Sequence, residues 1–111
     1  MDKLYTYSYD ILTDTVKEFE LPVISETERT YTVRNMLGEE VRSRKADLGK
    51  LESGCNVMHL DHPDKAYYLR CLIDRQCRIM EQLIGMVRNE SERLQKLHDM
   101  LEEAEKDGNS K

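Results

Sequence analysis

From Ala66 to Ala104 apolar residues recur at alternating steps of three and four. Ala66, Ile73, Met80, Val87, Leu94 and Leu101 occupy the a positions of a heptad, and Leu69, Gln76, Leu83, Glu90, Leu97 and Ala104 occupy the d positions. Only Gln76 and Glu90 are polar. From Asp74 onward the b, c and f positions carry no large apolar residue, so a single seam runs for more than five heptads and predicts a long helix that packs on other helices.

The first 60 residues follow a different period. Tyr5, Tyr7, Tyr9 and Ile11 alternate with Leu4, Thr6, Ser8 and Asp10, the period-2 pattern of a half-buried strand. Thr13-Asp14-Thr15 supplies a turn. A second alternating run, Val16 to Val23, completes an antiparallel hairpin, and Pro22, which lacks an N–H, places that strand at an edge or ends it. Thr30–Arg34 reads as a third strand closed by Gly38. Val41 to Leu51 is expected to be extended or briefly helical, before a turn at Ser53-Gly54, and Asn56 to Leu60 reads as a last strand.

Asp61-His62-Pro63-Asp64 has the chemistry of a helix start, with a capping acid, a proline near the first helical position and a second acid at the positive helix end. The helix is expected to end near Lys106, at Asp107-Gly108-Asn109. Some 40 residues at 1.5 Å each give a rod of about 60 Å, too long to bury its far end on a 60-residue sheet domain. Between Leu69 and Val87 the flanking positions are also apolar (Leu72, Cys77, Ile79, Ile84, Met86), which predicts that this half lies against its own sheet while packing on another helix. The expected fold is therefore α+β: a small antiparallel β-sheet domain over 1–60, one long C-terminal coiled-coil helix over 61–107, and a disordered tail at 108–111.

Composition narrows the function classes. Thirty-five per cent charged residues and a mean hydropathy of -0.73 suit a wide solvated helix face, and no apolar run approaches the roughly 18 residues of a membrane span. The net charge of -5 is shared between both halves, so neither half is biased toward nucleic acid or membrane. Three cysteines without a tight pair (Cys55, Cys71 and Cys77), together with no basic-then-apolar leader, read as reduced thiols in a cytoplasmic protein.

Three features invite chemistry. The seam residues Leu69, Ile73, Gln76, Met80, Leu83, Val87, Leu94, Leu97 and Leu101 are candidates for an oligomer interface, because a lone helix of this length would expose an apolar strip. Arg42, Arg44 and Lys45 form the one basic cluster and are candidates for contact with nucleic acid or a partner. Glu39, Glu40, Asp47 and Glu52 lie close in sequence and offset that charge, so nucleic acid is the weaker reading. Cys55, His59 and His62 offer a C-x3-H-x2-H spacing, but no fourth ligand accompanies them and a strand followed by a helix cap explains the same letters, so no metal and no cofactor are expected. No phosphate loop, nucleophile elbow, HExxH or paired CxxC is present, which argues against an enzyme.

The opening Lys3-Leu4-Tyr5-Thr6-Tyr7, the segment Arg44-Lys45-Ala46-Asp47-Leu48-Gly49-Lys50-Leu51 and the terminal helix from Asp64 together resemble, in layout, small uncharacterised proteins of bacteriophages and prophages. The resemblance implies a short, acidic, non-enzymatic protein that acts by binding, in the manner of inhibitors of CRISPR nucleases and other host defences. It carries no functional residue across. The expectation is a homo-oligomer, dimeric or larger, in the host bacterial cytosol. Its partner would be a bacterial host protein such as a defence nuclease, blocked by steric occlusion. The alternatives are a nucleic-acid-binding regulator using Arg42, Arg44 and Lys45, and a structural oligomerisation module.

Overall fold

A computed structural model describes residues 2–109. Its order is β1 (Lys3–Asp10), β2 (Thr15–Glu26), β3 (Thr30–Arg34), β4 (Glu40–Arg44), a short 3-10 turn (Lys45–Asp47), β5 (Val57–Leu60) and α1 (Lys65–Asn109). The chain is α+β, a five-strand antiparallel curled sheet followed by one long helix. It divides into two compact units, Met1–Asp74 and Arg75–Lys111, so the first turns of α1 belong with the sheet and not with the remainder of the helix.

The strands lie in the order β4-β3-β2-β1-β5. Four consecutive strands form a meander, and β5 takes the free edge of β1. The curl originates in β2, which pairs with β1 over Thr15–Pro22 and with β3 over Val23–Glu26, with a register shift between Val23 and Ser25. An extra residue at that point bends the strand and raises its twist.

Pro22 therefore neither ends the strand nor lies on an edge strand, contrary to the sequence expectation. It sits where β2 changes partner. The adjacent Val23 N–H donates to the Asp2 carbonyl at 3.0 Å, so successive N–H groups alternate and the missing donor of Pro22 falls on the side away from β1. The segment after Gly38 likewise resolves into a full strand, β4, before the short 3-10 turn.

Both faces of β1 are buried, where one was expected. Leu4 joins Leu21, Tyr31 and Val33 in a cluster on one face, with Phe19, Val23 and Leu48 packed against it. Tyr7 joins Met58, Leu60 and Tyr68 on the other, with Tyr5, Val16, Leu51, Cys71 and Leu72 alongside. The register explains the split: directly opposed residues share a face, so Leu4 meets Leu21 while Tyr7 meets Met58. The first cluster joins β1, β2 and β3 with Leu48 packed on it; the second lies under the start of α1.

Asp64 caps that helix. Its Oδ1 accepts the Tyr67 N–H at 3.0 Å, which places the cap three residues later than Asp61 and leaves Pro63 outside the helix. Tyr68 is fully buried, its ring stacked on Tyr7 at 5.3 Å between centroids and its hydroxyl donating to the Asn56 carbonyl. Within the first unit, Tyr68, Cys71 and Leu72 are the helix residues that join the second cluster. At the other end α1 continues through Gly108 and Asn109, which removes two residues from the expected tail; residues 110 and 111 lie outside the described residues.

Candidate functional site: an uncovered helix seam

The packing of the first helical turns decides which side of α1 is spent on the sheet. Tyr68, Cys71 and Leu72 fall at heptad positions c, f and g, and these are the residues turned into the second core cluster. The a and d residues of the same turns are left outside: Ile73 is 62% exposed and Leu69 36%. Helix-to-sheet packing thus uses a different face from the seam. This is why Tyr68 and Cys71 read as outward-facing in a heptad and yet are buried or half-buried.

Beyond Asp74 the seam stays open. Leu83, Leu94, Leu97 and Leu101 are each 53 to 56% exposed, Met80 and Val87 comparably so, and Gln76 and Glu90 are exposed with them. Leu83, Met86, Val87, Glu90, Ser91 and Leu94 line a shallow, largely apolar trough along this face. Glu90, the one acid of the seam, is held by Arg93 at 2.9 Å, an i,i+3 pair that draws its carboxylate toward the flank. All nine seam residues expected from the sequence therefore lie on one continuous helix and are exposed in the single chain.

The basic cluster is not kept together. Arg42 and Arg44 sit opposite Thr32 and Thr30 and share a face of β4, while Lys45 turns toward Tyr31, its Nζ 4.8 Å from the ring centroid. Two of the three are neutralised. Arg44 donates to both carboxylate oxygens of Asp47 at 3.0 and 3.2 Å, and Lys45 reaches Glu26 at 2.5 Å. The hydrogen bonds from Arg44 and from Lys45 hold the Asp47 and Glu26 carboxyls below their usual range. Glu26 is nineteen residues from Lys45 in sequence, so only the β2–β3 register could have revealed it as the partner.

Cys55 and His59 converge on one carboxylate: Glu52 accepts from Cys55 Sγ at 3.4 Å and lies 3.1 Å from His59 Nε2. The other ring nitrogen of His59 is 2.7 Å from Thr6 Oγ1. His62 is engaged elsewhere, with Asp61 at 2.6 Å, so the C-x3-H-x2-H residues do not share a site. Among the described residues no group of three His, Cys, Asp or Glu side chains is placed to hold a metal ion. This polar cluster was missed in the sequence because Glu52 and Thr6 join it only through the β1–β5 pairing and the Glu52 N–H bond to the Val57 carbonyl.

Among the described residues no helix is long and apolar enough to cross a membrane. No protein-family model, no curated protein and no solved structure matches the chain. The fold and the seam define the chain as an α+β protein with one long, laterally uncovered amphipathic helix.

Proposed function

We propose that the protein is a non-enzymatic, self-associating binding protein, in which the α1 seam joins two or more copies and the sheet unit is the surface offered to a partner. The observation that carries this reading is the division of labour on α1. The helix packs on its sheet through Tyr68, Cys71 and Leu72, and leaves eight large apolar a and d residues uncovered. Burying the exposed part of such side chains is worth about 1 kcal/mol each, enough in sum to offset the several kcal/mol lost on association.

The test is the light-scattering mass of the purified chain and of a Leu83→Asp, Leu97→Asp variant. Expected are a multimer for the parent and a monomer for the variant with unchanged β-sheet circular dichroism, because each aspartate would be desolvated in the seam. A monomeric parent rejects the reading.

The layout resemblance and the net charge of -5 favour an acidic binder that occludes a basic host effector such as a defence nuclease. The nucleic-acid reading is the weaker of the two, since phosphates would have to displace Asp47 from Arg44 and Glu26 from Lys45. Direct binding to a purified RNA-guided nuclease, set against binding to a DNA duplex of the same concentration, separates the two.

A further inference from the structure

Charge is distributed unevenly along α1. From Lys65 to Arg88 there are five bases and two acids, a net of +3; from Asn89 to Asn109 there are three bases and seven acids, a net of -4. This runs against the helix's own dipole, which favours acids in the first turns and bases in the last. The first turn contains no acid, and the last turn has one base, Lys106, among several carboxylates. A lone helix gains nothing from the arrangement. Two parallel copies would fare worse, with +3 beside +3 and -4 beside -4 at the interaxial distance of about 8–10 Å, within a Debye length.

Two antiparallel copies reverse every one of these terms. The basic half of each helix lies along the acidic half of the other, and the two dipoles oppose. The a and d residues are symmetric about Gly85, so one antiparallel register keeps the whole seam occupied. Leu83 then faces Val87 of the second copy, Gln76 faces Leu94, and Ile73 faces Leu97. In this register Glu90 faces Met80, whereas a parallel pair in register would set Glu90 against Glu90 and bury two like charges. The flanks do not separate the two arrangements: parallel g-to-e pairing would join Ile79 with Ile84 and Arg93 with His98, and antiparallel g-to-g and e-to-e pairing would join Ile79 with Arg93 and Arg70 with His98, with no opposite-charge pair in either.

Resting on the self-association reading above, we infer that the partner of the seam is a second copy of this chain running antiparallel, centred at Gly85. The test uses the full chain with Cys55→Ser, Cys71→Ala and Cys77→Ser, into which either Leu83→Cys or Val87→Cys is introduced. The two variants, carrying different tags, are mixed and oxidised. Expected is a mixed disulfide between the two variants, with at least about tenfold less of either self-pair, because a disulfide needs Cα atoms within about 7 Å. Predominant Leu83→Cys self-pairs in a dimer of correct mass overturn the antiparallel arrangement alone. A monomer overturns the self-association reading itself.

Discussion

The two units treat apolar residues in opposite ways. In the sheet unit, Leu4, Tyr7, Val33, Met58 and Tyr68 are almost completely shielded within a single chain. In the helix unit, Leu83, Leu94, Leu97 and Leu101 remain more than half exposed. The number of directions in which each element is enclosed accounts for this. β1, paired on both sides by β2 and β5, carries one cluster on one face and a second, joined by the start of α1, on the other, so 74 residues suffice for two clusters. A helix alone has no second layer, and its apolar stripe stays open until another molecule supplies one. The first unit therefore finds its apolar shielding within its own chain, whereas the second would find it in the proposed association.

The sharpest way to break this contrast is Tyr68→Ala. The ring is fully buried against Tyr7 and among Met58 and Leu60, so its loss should cost about 3–5 kcal/mol and lower the melting temperature of the sheet unit, as read by near-ultraviolet circular dichroism. Leu97→Ala removes a side chain of similar character but 54% exposed, and should leave that melting transition in place while weakening association. If both substitutions lowered the same transition equally, the two units would not be energetically separate.

Tyr7→Phe should act more gently. The hydroxyl donates to Glu18 at 2.7 Å, so its removal should cost about 1 kcal/mol at neutral pH. Burial first, and the Glu18 hydrogen bond second, push the Tyr7 phenol up to about 12 from an ordinary value of 10.0. In the unfolded chain Tyr7 loses its proton near 10, while in the folded chain it holds it to about 12. The stabilisation is therefore fully present below about pH 10 and falls away as pH rises from 10 to 12, where the folded state binds the extra proton. Urea titrations at pH 9 and pH 11 should show a smaller drop in stability for Tyr7→Phe than for the parent. An equal drop would place the alkaline loss on other groups.

What could be read from the sequence follows the same division. The helix was legible because its period is sustained: heptad spacing over some forty residues leaves few alternatives, and Ala66 to Ala104 do lie on one helix. The strands were legible where alternation was clean, as in β1 and β3. What failed depended on contacts between distant residues. Nothing near Pro22 reveals that β2 changes partner there, and nothing near Tyr68 reveals that an outward heptad position will be claimed by Tyr7. The seam residues were found by periodicity alone, whereas the Glu52, Cys55, His59 and Thr6 cluster needed the β1–β5 register. Local periodicity is written in one segment; a tertiary partner is not.

The smallest effect gives the cleanest comparison, because one substitution should have opposite signs in the two units. Gly85 lies at an outward f position inside α1, and a Cβ there would meet no atom within 4 Å. Alanine restricts the unfolded chain and favours the helix, so Gly85→Ala should stabilise the helix unit by about 0.5–1 kcal/mol without disturbing association. Gly49 in the sheet unit has φ +76°, a conformation that side chains resist, and its Cβ would stand 3.5 Å from the Tyr67 hydroxyl, which donates to the Gly49 carbonyl at 2.7 Å. Gly49→Ala should therefore destabilise by about 1 kcal/mol. Separate melting transitions measured by heat scan on the two variants should move in opposite directions. A loss at Gly85 would mean that its flank is covered in the assembly, and that the seam is wider than the a and d positions.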